Sequence, residues 1–398
     1  MTNIILRHGE RPPYELVMFK NYVFNASHWP NGKTNLTNNG IVAILETGRL
    51  LKNRYDKVFN RQLSLNEIKS SSTDVRMAKS SALAFLYGFI GKKMDFNTRK
   101  MVLGLHEYDI FHIATKDDIL LVSLKKCYNH AIEIINTLTI PNSTLMNYVN
   151  SNINQYNKVI EYSGWGESMS PILMVTVADP LLCDKSNNFP LPDWVTPDVY
   201  YFIQNYTDIT FGLMYKENKA LLKWSNGLLL SRILCNMLKH FDYQWMNIKY
   251  PQFKNYLICH DIKIVNNNIE DLKPIHMYSS HDVTIAGLLS MFEIVFDFRP
   301  KAADAFMIEL WRYPNPNYIS SNISSYNNLS NNNWIYSTDL YIPFIYNLKF
   351  MYKTHRNVIK NIKKDIRFEI AIQMVKDKLV STLEDALITC TPYEQFQF

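Results

Sequence analysis

A chain of 398 residues has room for one large or two moderate domains, and its 47% apolar and 20% charged content is ordinary globular material. The formal charge of +6 suits an anionic small-molecule substrate, but no Lys/Arg block is dense enough for a nucleic-acid footprint. No apolar run reaches the length of a membrane span, and none of the five cysteines forms a C-x-x-C pair, which weakens zinc and thioredoxin-type readings.

The first predicted element is a short strand, Ile4-Ile5-Leu6, which runs directly into Arg7-His8-Gly9-Glu10-Arg11-Pro12-Pro13. This segment holds a histidine between two arginines, followed by a glycine that lets the backbone turn sharply. Two fixed guanidiniums can grip a phosphate dianion through forked hydrogen bonds, while an imidazole beside them can attack phosphorus. The bland alternative is a surface turn with a lone histidine between solvated arginines. Next, Leu36-Thr37-Asn38-Asn39-Gly40 leads into an apolar stripe at helical spacing, made of Ile41, Ile44, Leu45, Gly48, Leu51 and Tyr55. Thr37 or Asn38 can cap that helix, which is expected to pack on a sheet and to carry no chemistry. Residues 1 to about 95 thus read as strand, helix, strand, helix.

Residues from about 96 to 220 are richer in aromatics and prolines, with helical stretches and few convincing strands. From Trp224 a long apolar helix follows (Leu228, Leu229, Ile233, Leu234, Met237, Leu238), and Cys235 within it reads as a buried free thiol. A strand then runs from Ile275 to Ser280 into His281-Asp282, where a buried helix of small apolar residues begins. A helix N-terminus adds partial positive charge there, which favours bound phosphate. The bland reading is an N-cap aspartate beside an ordinary histidine. Ala305 to Trp311 and Tyr341 to Tyr352 read as further strands, and the Asn- and Ser-rich stretch from Asn315 to Asn333 as a long loop. Lys360, Lys363, Lys364 and Arg367 read as a solvated helix face. No internal repeat and no P-loop is visible, and Gly88-Phe89-Ile90-Gly91 is too short for a dinucleotide fingerprint.

The R-H-G-x-R-x-P pattern of residues 7–13, joined by the distant His281-Asp282, resembles the histidine acid phosphatases. The resemblance implies an α/β fold: a central, mostly parallel sheet flanked by helices in a phosphoglycerate-mutase-like core, with an inserted, mostly helical lid. Residues 1–95 and 221–398 would form the core and 96–220 the lid. His8 would be the nucleophile that becomes phosphohistidine, and Asp282 the proton donor. Arg7, Arg11 and His281 would bind the phosphate, with a third arginine from a segment of type S-x-D-x-x-R-x-x-x-S. Here that segment is Ser70 to Leu86, and its arginine comes one residue early relative to Ser72-Thr73-Asp74. Counted from the helix side, Arg76 and Ser80 keep the expected separation, so Arg76 is taken as the third pocket arginine. The loop register would instead put Met77 in that slot and remove a charge.

No metal or cofactor is implied, because the arginines take over a metal's electrostatic role. The implied substrates are small phosphate monoesters. Family members are often homodimers, so a homodimer is one expectation. Two other readings compete: a phytase or another specialised phosphatase of the same superfamily, and a catalytically impaired, secreted binding or antigenic relative.

The resemblance also implies a secreted or lysosomal protein, although the start shows no signal-peptide pattern; a missing leader, or a truncated or cytosolic relative, would account for that. The six N-x-[ST] sequons (Asn25, Asn35, Asn142, Asn205, Asn322 and Asn328) are about as many as so Asn-rich a chain has by chance. Leu182-Cys183, followed by Leu191-Pro192-Asp193-Trp194, resembles a family segment whose cysteine is bridged, and Cys127 and Cys390 fall where family cysteines tend to lie. Connectivity stays open, and the odd count leaves at least one thiol unpaired within the chain.

Overall fold

The computed structural model describes residues 1–13, 19–93, 95–104, 112–113, 121, 128–216, 218–253, 259, 272–318 and 342–380. Strand β1 (Thr2–Arg7) is buried at every position. Its alternation serves two cores, with Ile5 packed on one face of the sheet and Ile4 and Leu6 on the other. Helix α1 (Asn38–Val58) starts at a side-chain cap, the Thr37 hydroxyl accepting from the Gly40 amide. Strand β2 (Ile68–Ser72) leads into α2 (Arg76–Phe89), and α3 (Phe96–Gly104) and the two-residue β3 (His112–Ile113) follow.

A helical cluster comes next: α4 (Tyr128–Leu138), α5 (Thr144–Ser151), α6 (Ile153–Ser163), α7 (Pro171–Ser186) and α8 (Pro197–Leu213). The long α9 (Lys219–Leu238) and the short α10 (Tyr243–Ile248) lead back toward the sheet. Strand β4 (Ile275–Ser280) feeds α11 (Asp282–Met291), and β5 (Ala305–Pro314), β6 (Phe344–Lys353), β7 (Ile359–Arg367) and α12 (Phe368–Val375) complete the strands and α-helices among the described residues.

Among those residues the strands form one seven-stranded sheet ordered β3-β2-β4-β1-β5-β6-β7. The first four are parallel neighbours, and the last three join antiparallel. Register sets Arg7 beside Ser280 and Ser72 beside Ser279, so β1, β4 and β2 all end at the same edge. Parallel strands deliver their C-terminal loops together, which is why three remote segments meet there. Residues of α1 and α2 cover one face, while α9, α11 and the helical cluster share a single apolar core on the other.

Three expectations are corrected. The basic stretch from Lys360 to Arg367 is strand β7, not a helix face, and it pairs with β6 after a turn in which Asn357 takes φ 59°. A sparse charge run has no period of its own, and pairing with β6 decides its conformation; lysines also suit the exposed edge of a sheet. Cys235, read as a free thiol, is disulfide-bonded to Cys259, with Cα atoms 5.6 Å apart. The chain doubles back after α9, a long-range event that an apolar helical pattern does not reveal. Cys183, which resemblance suggested as bridged, is a free thiol. Cys127, Cys390 and most of the Asn- and Ser-rich loop lie outside the described residues.

Candidate active site

His8 follows directly on β1, and its backbone amide donates to the Ser280 carbonyl across 3.1 Å, so the two motifs join at the level of the main chain. The residue is only 4% exposed. Its Nδ1 lies 2.8 Å from the Gly9 carbonyl oxygen. A carbonyl can only accept, so Nδ1 carries the proton and Nε2 keeps its lone pair. Burial, reinforced by Arg7 and Arg11, pushes the imidazole's pKa well below its ordinary value and keeps it neutral. The His281 ring stands edge-on at 5.4 Å between centroids. His281 Nε2 in turn meets the Thr73 hydroxyl at 3.1 Å, from the loop that follows β2.

Gly9 serves by clearance rather than by turning. A Cβ on it would lie 2.7 Å from the Gly40 carbonyl oxygen, and one on Gly40 would lie 2.2 Å from that of Glu10. Neither glycine takes a left-handed φ. The Gly9 amide donates to Ser81 Oγ at 2.9 Å, so the motif loop is held between the start of α1 and a buried face of α2. From the other side, the Ala303 amide donates to the His8 carbonyl at 3.2 Å, and the Ala303 carbonyl accepts from the buried Lys353 Nζ at 2.9 Å.

Around the histidines lies a network of ion pairs. Arg7 Nη2 holds Asp282 Oδ2 at 3.0 Å, and Arg299 Nε holds the same oxygen at 2.7 Å. Arg299 Nη2 also reaches Asp179 Oδ1 at 3.3 Å. Arg11 grips Asp179 with both terminal nitrogens, Nη1 to Oδ2 at 2.9 Å and Nη2 to Oδ1 at 3.2 Å. Among the described residues this set places three guanidiniums around two carboxylates, a local concentration of cations that suits an anion. Burial alone would raise the Asp282 carboxyl, but Arg7 and Arg299 outweigh it and hold the group far below the usual carboxylate range. Asp179 is depressed in the same way, burial being overcome by Arg11 and Arg299.

The structure brings Arg7, His8, Arg11, His281 and Asp282 together. Arg76 opens α2 as an exposed residue; like His281 and Asp282, it is not among the residues that line the cavity containing His8. Met77, the alternative occupant of that slot, is buried in the core under α1 and α2. The helix begins at His281 as N-cap, with Asp282 as its first residue, so the aspartate is not itself the cap. Two members of the ion-pair set carried no motif. Asp179 had one faint signal, a charge within the apolar run of α7. Arg299 had none, since its loop between α11 and β5 has no pattern of its own.

Arg7, His8, Arg11, Asp179, Arg299 and Lys301 all line one cavity of about 390 Å³, large enough for a small ligand. The arrangement offers a neutral imidazole lone pair beside clustered guanidiniums and a carboxyl group that can exchange a proton.

Comparisons with known proteins bear on the family and the fold. The model of the histidine phosphatase superfamily (branch 2) matches residues 1–336. Prostatic acid phosphatase of Mus musculus is 24% identical over 318 residues, covering 78% of this chain and 74% of that protein. Lysosomal acid phosphatase of Xenopus laevis is 26% identical over 332 residues, covering 80% and 67%. Among solved structures, the phytase of Citrobacter braakii superposes with a TM-score of 0.58 at 11% identity, over 98% of this chain and 99% of that one. A Hafnia alvei phytase, solved in complex with myo-inositol hexakis sulphate, gives 0.59 at 12% identity, over 95% and 96%. These two share the fold with this chain. With the motif at the sheet edge and the family match over most of its length, the chain belongs to the histidine phosphatase superfamily, branch 2.

Proposed function

We propose that this protein is an acid phosphatase that hydrolyses phosphate monoesters through a phosphohistidine on His8. The observation that carries this reading is the His8 side chain: Nδ1 is committed to the Gly9 carbonyl, which leaves Nε2 as the nucleophile in a cavity shared with Arg7, Arg11 and Arg299. Arg7, Arg11 and His281 are assigned to the phosphate oxygens, with Arg299 as the buried third guanidinium. Arg76, exposed at the start of α2, is assigned an outer contact with the incoming dianion. Helices of the 96–220 segment act as the lid and contribute Asp179.

His8 Nε2 attacks phosphorus and the ester P–O bond breaks. The departing alkoxide takes a proton from Asp282. Water then attacks the phosphohistidine, giving its proton to the Asp282 carboxylate as the P–N bond breaks and orthophosphate leaves. Asp282 is ionised without substrate. A bound dianion draws on Arg7 and Arg299 and adds negative charge nearby, and both effects raise the Asp282 pKa until it can donate.

The acid phosphatase relatives suggest a secreted or lysosomal setting, and the Cys235–Cys259 disulfide is at home in such an oxidising compartment. A homodimer is proposed on family resemblance alone and is testable by sedimentation. The deciding experiment is rapid acid quench with a labelled phosphomonoester. Wild type should trap labelled protein and His8→Ala none, with turnover falling by about four orders of magnitude. Label retained by His8→Ala would remove the histidine from its role.

A further inference from the structure

Beside the catalytic cavity lies a second one of about 220 Å³. The two share Asn39, and elsewhere their walls are chain neighbours, Arg11 beside Pro12 and Ser186 beside Asn187. Their chemistry differs. Arg7, Arg11, Arg299 and Lys301 line the first, whereas no Lys, Arg, Asp or Glu lines the second among the described residues. Trp29 and His28 supply ring walls, both held by Phe189, the histidine stacked at 4.1 Å and the indole edge-on at 5.0 Å.

Much of the remaining wall is carboxamide, and its orientation is set by neighbours. Asn31 Nδ2 donates to the Leu36 carbonyl at 2.8 Å and to Asn38 Oδ1 at 3.2 Å, while Arg99 donates to Asn31 Oδ1 at 2.6 Å from behind. With its oxygen engaged, Asn38 has its amide nitrogen left as a donor. Asn187 is the converse. Its Nδ2 donates to the Cys183 carbonyl at 2.9 Å and to Ser186 Oγ at 3.2 Å, so its oxygen is left as an acceptor. A fixed donor and a fixed acceptor suit hydroxyl groups, which do both.

We propose that this second cavity is the leaving-group subsite, and that the substrate class is the monophosphate of a neutral, hydroxyl-bearing single ring, of hexose phosphate type. The inference rests on the phosphatase reading above and narrows it. A cavity below the roughly 300 Å³ of drug-sized sites fits one small ring. Among the described residues its wall has no lysine or arginine, so a second phosphate would find no guanidinium or ammonium partner there. That argues against polyphosphorylated inositols, whose ring would bring further phosphates into this space.

The test measures kcat/KM of the full chain on an aryl phosphate, a hexose 6-phosphate and myo-inositol hexakisphosphate. Wild type should favour the hexose phosphate over the hexakisphosphate by about tenfold or more. Asn38→Ala combined with Asn187→Ala should lower the hexose-to-aryl ratio about tenfold, since one donor and one acceptor are lost. Asn38 is exposed in the first turn of α1, so Asn38→Ala alone keeps the test readable if the double variant does not fold. Asn38→Lys should raise the rate on hexakisphosphate. A ratio unchanged by these variants, or a wild-type preference for hexakisphosphate, overturns the subsite and leaves the phosphatase reading intact. No turnover of the aryl phosphate would defeat that reading, and this inference with it.

Discussion

Arg299 Nε and Arg7 Nη2 converge on one oxygen of Asp282, at 2.7 and 3.0 Å. A single carboxylate oxygen thus ties a motif arginine to an arginine that no motif marks. Both cations stabilise the ionised form of the group assigned to donate a proton, so each one sets the pH at which donation fails.

Arg299→Ala should move the basic limb of the kcat profile upward, by about one pH unit. Removing a cation raises the Asp282 pKa, and a donor acts only while protonated. A limb that stays in place or moves down would separate Arg299 from Asp282 in the working enzyme.

The two arginines that compete for the third phosphate contact can be ranked by vanadate binding. Arg299 is buried among carboxylates, while Arg76 is exposed. Arg299→Ala should weaken vanadate by tenfold or more, and Arg76→Ala by only about two- to threefold. The reverse order would return Arg76 to the centre of the pocket.

Stability should fall in acid. Burial by itself raises the Asp179 and Asp282 carboxyls, but the neighbouring guanidiniums win and depress both below the ordinary 3.8. A depressed folded pKa contributes stability that is complete above the unfolded value and is lost as pH falls through the folded one. Denaturant midpoints should therefore drop below about pH 4, and Asp179→Asn should flatten that slope. The same variant should cost about 3 to 5 kcal/mol at neutral pH, because Arg11 and Arg299 then face an uncharged amide.

Gly40→Ala tests the clearance between α1 and the motif loop. The added Cβ would press on the Glu10 carbonyl, so the loop carrying Arg11 must shift. A loss of about 1 to 3 kcal/mol in urea denaturation is expected, with phosphate affinity falling alongside. Unchanged stability would mean that the loop gives way freely.

Cys235→Ser should lower stability by about 3 to 4 kcal/mol in the chain-entropy account, since the bridge closes a separation of 24 residues. Reducing agent should then have little further effect through this bridge. Equal sensitivity of wild type and variant to reduction would place the stabilising disulfide elsewhere.

Several features were legible because their signals are local. The run Ile4-Ile5-Leu6 announces a buried strand, and Thr37 caps α1 through an amide three residues away. The motif residues Arg7, His8 and Arg11 and the pair His281-Asp282 were recognisable by type and spacing, and parallel register brings their strands to one edge. Other features needed partners distant in the chain. Lys360 to Arg367 is a strand because β6 lies beside it, and Cys235 is bridged because the chain turns back.

By itself the sequence determined the chemistry on offer, an imidazole set among guanidiniums at the end of a buried strand, because strand, cap and motif are written in residues that are neighbours in the chain. Only the tertiary structure decided which charges surround that imidazole. Ion pairing depends on distance in space, and Asp179 and Arg299, 120 residues apart, meet across a few ångströms only after helix α7 and the α11–β5 loop have folded onto the same edge of the sheet.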